Sequence, residues 1–135
     1  MTNRGAHKEV DAGHATARLH QARAFHESAQ ALVTLAQSTS YNGAITLMIT
    51  AAIAYADAIT AVRMGVVNRQ DHQSAPRLLR EALGRHLPDR HERFFRKLLG
   101  RKDEASYGAR STPIEDAVRL LAELDDFSLW AEGLI

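Results

Sequence analysis

Apolar or small residues return every third or fourth position from Ala15: Ala15, Leu19, Ala22, His26, Ala29, Val33 and Ala36, with Phe25, Leu32 and Leu35 widening the stripe. That spacing is helical and predicts a first helix over about residues 11–37. Residues 38–43 read as a turn. A second helix follows over about 44–64, closed by Gly65. A polar connection, 68–73, leads to a third helix from about Ser74 to Gly84, with Pro76 tolerable in its first turn. A fourth helix starts at Asp89, where Asp89 and Glu92 resemble a capping box behind Pro88; Phe94, Phe95, Leu98 and Leu99 form its apolar stripe and Gly108 its stop. Thr112-Pro113-Ile114-Glu115 reads as a full capping box opening a last helix, along which Val118, Leu121, Leu124, Phe127 and Leu134 keep helical spacing. No segment alternates as a strand does. The expected fold is all-α, an up-and-down antiparallel bundle of about five helices.

The length, 135 residues, suits one domain over 11–135, with residues 1–10 polar and frayed. There is no cysteine, which excludes disulfide scaffolds, thiolate zinc sites and thiol nucleophiles together. The N-terminus carries Arg4, Lys8 and Glu9 and no apolar core of a signal sequence, so a cytoplasmic protein is expected. Residues 44–62 are long and apolar enough to imitate a membrane span. They contain Asp57 and three threonines and are rich in alanine, which fits a central helix sheathed by others, and no membrane association is expected.

The net charge of +1 hides a segregation. Residues 1–62 are neutral, residues 63–102 carry +7, and residues 103–135 carry −6. A basic block beside an acidic one means either a cationic surface for phosphate or two neighbouring helices that neutralise each other.

Seven histidines raise the question of a metal, but His14, His20 and His26 are six apart, which turns successive members by about 120° on a helix. No metal or cofactor is expected. His26 falls in the apolar stripe and reads as a hydrogen-bonded core histidine. Asp57 is the sole charge of the second helix and needs a partner, because an unpaired buried carboxylate is costly. It shares a polar and small face with Thr46, Thr50, Ala54, Thr60 and Ala61. That face is open to two readings, a carboxylate in a cleft or groove and an internal pair with an Arg, His or Tyr of a neighbouring helix. Two further groups have chemical potential: Asp71 with His72 before the third helix, and Arg101, Lys102 and Tyr107 towards the end of the fourth.

Taken together, AAIAYADAITAVRMG at 51–65, the Asp71-His72 pair, Leu78-Leu79 and LLGRKDEASYG at 98–108 resemble the HEPN domain family, closest to its compact single-domain members in high-GC bacteria. The resemblance covers about residues 41–135. It implies a helical bundle that dimerises, as an RNA-cutting toxin, a partner of a nucleotidyltransferase or antitoxin, or a non-catalytic binding module. Catalytic members have an arginine followed four to six residues later by a histidine. Here Lys102, or Arg101, stands at the arginine and Tyr107 at the histidine.

Tyrosine, with an ordinary pKa of about 10, is a poor base at neutral pH, although it can hydrogen-bond a phosphate or stack on a base. On one continuous helix Lys102 and Tyr107 point about 140° apart, so they converge only if the helix ends between them or two protomers each supply one. The resemblance therefore implies a homodimer that binds RNA or a nucleotide at a groove lined by Arg101, Lys102, Tyr107, Asp57, Asp71 and His72 without efficient cleavage. One alternative is a metal-independent endoribonuclease in which His72 replaces the missing histidine and Arg101 or Lys102 stabilises the phosphate. The other is a structural dimerisation or adaptor bundle, in which the acidic last helix covers the basic segment.

Overall fold

The computed structural model describes residues 7–35, 37, 39–69, 71–108 and 110–135. The chain runs β1 (His7–Glu9), α1 (Ala12–Leu35), α2 (Asn42–Met64), β2 (Val66–Asn68), α3 (Ala75–Leu83), α4 (Asp89–Leu99), α5 (Lys102–Tyr107) and α6 (Ile114–Glu132), with short 3-10 turns at His72–Ser74 and Gly84–His86. Of the first stripe, Ala36 lies outside the described residues, as do Ser38 at the head of the expected turn, residues 1–6 of the N-terminus and Gln70 of the connection before α3.

α2 is the axis. It packs against α1, α3, α4, α5 and α6, and Ile45, Met48, Ala52, Ala54, Ala58 and Ile59 are each fully enclosed. Alanines at so many positions let five neighbours approach one helix closely, which is why a segment long and apolar enough to cross a membrane serves here as a bundle core. α1 lies along it, burying Ala15, Ala22, Ala29 and Val33. On the far side Phe127 meets Tyr55 edge-on and Phe94 and Phe95 at a tilt, with ring centroids 5.6–6.5 Å apart. The protein is mostly helical, a helical bundle with, among the described residues, one two-stranded ribbon.

Three local expectations are corrected. His7–Glu9, within the stretch expected to fray, pairs antiparallel with Val66–Asn68, a segment without alternation. Gly65 makes this possible: at φ 68° it ends α2 in the left-handed region, and its carbonyl accepts from Val10 N at 2.8 Å. The fourth helix is two helices, broken at Gly100-Arg101, so Lys102 opens a new helix instead of continuing the old stripe.

Neither expected capping box forms. Glu92 turns away from its own helix start to Arg80 of α3, with Nη2 to Oε1 at 2.6 Å. Thr112 is buried and donates its hydroxyl to the Asn42 side chain, tying the start of α2 to the segment before α6. In both cases a tertiary partner outcompetes the local cap.

Candidate functional site

Beside the N-terminal half of α2 lies an open cleft of about 150 Å³. Its walls are Arg18 of α1, Thr46, Ile49, Thr50 and Ile53 of α2, His72 and Lys102. Helical spacing puts 46, 49, 50 and 53 on one face of α2. Asp71 shapes the next wall: its carboxylate accepts from Gln73 N at 2.8 Å and caps the turn that carries His72. Gln73 then donates from Nε2 to the Leu99 carbonyl at 2.9 Å, binding that turn to the last residue of α4. Just after it, the break at Gly100-Arg101 starts α5 with Lys102, and Ala105 anchors α5 against the main core. Sequence-distant His72 and Lys102 thereby share one cleft.

The electrostatics follow from the pairing. Arg18 donates from Nε to Asp57 Oδ2 at 3.1 Å, its Nη2 lies 2.9 Å from the same oxygen, and its Nη1 is taken by Gln21. Burial pushes the Asp57 carboxyl above its ordinary value, an effect opposed by Arg18, His14 and His72. Partial desolvation and the nearby Lys102 ammonium hold the His72 imidazole below its ordinary value, against the pull of Asp57 and Asp71. His72 is therefore neutral at pH 7, with a lone pair available. Arg18 and Asp57 cancel, and Lys102 has no ion pair among the described residues, so the cleft carries a single positive charge.

The sequence-derived residues divide. Lys102 and His72 line the cleft, Asp57 stands behind it as the partner of Arg18, and Asp71 orients its rim. For Asp57 this is the internal pair with an arginine of a neighbouring helix. Arg101 and Tyr107 are elsewhere. Arg101 reaches Asp116 at 3.2 Å and Thr112 Oγ1 at 3.5 Å, a bridge to α6. Tyr107 is 84% exposed and does not line the cleft. The helix break precedes Lys102 and leaves both residues on α5, where they diverge.

Arg18 was absent from the sequence-derived set. The signal for it was present: Arg18 sits three residues after Ala15 and four before Ala22, flanking the buried stripe that faces the helix with the lone aspartate.

A second titratable cluster lies on the other side of α2. His26 bonds the Tyr55 hydroxyl through Nδ1 at 3.0 Å and Asp125 through Nε2 at 2.6 Å, the hydrogen-bonded core histidine expected from its place in the stripe. Burial pushes the Tyr55 hydroxyl up to about 12. Nearby, His91 is buried against Phe127 and stacks on Trp130 with centroids 4.6 Å apart, and its Nε2 has no hydrogen-bond partner among the described residues. Burial, then Arg90, depress its pKa, opposed by Asp126.

A depressed histidine pKa costs stability on acidification. The unfolded chain takes up its proton near pH 6.5 while the folded chain resists, so stability falls as pH drops below about 6.5 until the folded pKa is reached. We expect His91→Phe, which keeps the stack on Trp130, to flatten the loss between pH 6.5 and 5 by up to about 1.4 kcal/mol per pH unit. Urea titrations of both proteins at several pH values read the two slopes; parallel slopes would show that His91 does not couple to folding.

Among the described residues, no three His, Asp or Glu side chains gather as a metal site. No protein-family model matches the sequence, and no curated protein matches it.

Proposed function

We propose that this chain is a HEPN-like domain that binds RNA or a nucleotide, holding a phosphate in the cleft between Lys102, His72 and Arg18 without efficient cleavage. The observation that carries the reading is Lys102, a half-buried cation on a concave wall with no ion-pair partner among the described residues. A desolvated ammonium without a carboxylate is a ready site for an external anion.

The distribution of the other charges supports the cleft as the focus of binding. The acidic α6 takes up three of the eleven cations of the basic block: Glu123 holds Lys97 at 2.7 Å, Asp126 holds Arg90 at 3.2 Å and Asp116 holds Arg101. Those pairs also favour the adaptor reading, in which the bundle is a scaffold, and Lys102 is the residue that separates the two. The resemblance adds a homodimer, with a nucleotidyltransferase or antitoxin as a further partner class.

Fluorescence anisotropy with a labelled single-stranded RNA tests the proposal. Lys102→Ala is expected to weaken binding roughly tenfold and to lower the salt dependence by about one phosphate contact. Binding that ignores both the substitution and the salt concentration would overturn it and leave the scaffold.

One observation favours a second reading, the metal-independent endoribonuclease: His72, neutral and on the same cleft as Lys102, has the protonation state of a general base. His72 would take the proton of an RNA 2′-hydroxyl, the 2′-oxygen would attack the adjacent phosphorus, and the bond to the 5′-oxygen would break. The leaving oxygen takes a proton from water, giving a cyclic phosphate and a 5′-hydroxyl. A cyclic phosphate product that disappears in His72→Ala would establish it.

A further inference from the structure

The cleft has a size and a lining beyond its charge. Ile49 and Ile53, one turn apart on α2, give it an apolar wall, and a cavity of about 150 Å³ is the size that accepts one six-membered ring. Thr46 and Thr50 stand beside them on the same face of α2. Each hydroxyl already donates its only proton to the helix carbonyl four residues back, Thr46 to Asn42 O at 3.1 Å and Thr50 to Thr46 O at 2.9 Å. What remains on both oxygens is lone pairs, so they accept hydrogen bonds and cannot give them. The ligand that fits is flat and single-ringed, has an N–H donor on its edge and carries its negative charge to one side, where Lys102 stands. With Arg18 neutralised by Asp57, one lysine matches one phosphate group better than a polyphosphate.

We infer that the cleft is a base-reading subsite that takes a pyrimidine nucleotide monophosphate unit, with the ring laid on Ile49 and Ile53, its N–H edge on Thr46 and Thr50, and its phosphate on Lys102. This rests on the nucleotide reading above and adds to it a preference for one base class. Both pyrimidines supply the donor, cytosine from its exocyclic amine and uracil from its ring N–H, whereas the fused rings of a purine need more room than a cleft of about 150 Å³ sized for one ring.

Isothermal titration of the full chain with cytidine, uridine, adenosine and guanosine 5′-monophosphates tests it. The pyrimidine compounds are expected to bind roughly tenfold tighter than the purines. Thr50→Val, which keeps the side-chain shape and removes the acceptor, is expected to weaken cytidine monophosphate binding about fivefold with an unchanged circular dichroism melt. Equal binding of purines and pyrimidines that still depends on Lys102 would overturn the base preference and leave the phosphate site standing. RNA binding that depends on Lys102, with no monophosphate bound, would overturn the subsite in the same way. If neither RNA nor any monophosphate binds, the nucleotide reading fails and the subsite with it.

Discussion

Phe127→Ala is expected to destabilise the protein by about 4 kcal/mol, the largest effect of any single truncation considered, and to lower the thermal midpoint by about 15 °C. Phe127 is fully enclosed, and its ring meets those of Tyr55, His91, Phe94, Phe95 and Trp130. These residues come from α2, α4 and α6, so one substitution removes the contact surface on which all three helices converge. The surrounding aromatic rings are rigid and collapse poorly into a vacated space, which places the cost towards the upper part of the range for such truncations. Scanning calorimetry reads the shift, and a loss below about 1 kcal/mol would show that α6 repacks without it.

Asp57→Ala comes second, at about 3 kcal/mol, because it leaves the Arg18 guanidinium in a partly enclosed place without its carboxylate. The pair itself is not the source of that stability. Burial pushes the Asp57 carboxyl up in spite of Arg18, so ionising it inside the fold is harder than in water. The double substitution Arg18→Met with Asp57→Leu is therefore expected to recover most of the loss. Denaturant melts of the two single variants and the double variant complete the cycle. If the double variant is as unstable as Asp57→Ala, the side chains matter for packing and not for charge.

Helical periodicity and the end signals at Gly65 and Pro76 suffice to place α1, α2, α3 and α6 to within a few residues, since both depend on neighbours along the chain. The break at Gly100-Arg101 did not show, because Lys102 falls three residues after Leu99 and its position continues the apolar rhythm as if the helix ran on. The relation of Tyr107 to Lys102 depends likewise on where one helix stops. Among the site residues, Asp57 was legible as a lone charge on an apolar helix, and His72 and Lys102 through the motif resemblance. Arg101 was legible only as a basic residue, since its engagement by Asp116 depends on how α6 lies across α4 and α5.

The ribbon of β1 and β2 has a consequence for how the molecule comes together. α1 and α2 form an antiparallel hairpin whose connection lies near residue 40, and β1 and β2 join the opposite, otherwise open end. The paired residues are roughly sixty positions apart in sequence, so the ribbon cannot form until the two helices have already brought its strands together. It is then a late event in folding, one that locks a hairpin already made. The locked end is the one nearer Arg18 and Asp57, whereas Thr46 and Thr50 lie towards the connection, so the ribbon holds the Arg18–Asp57 side of the cleft and the hairpin connection holds the other.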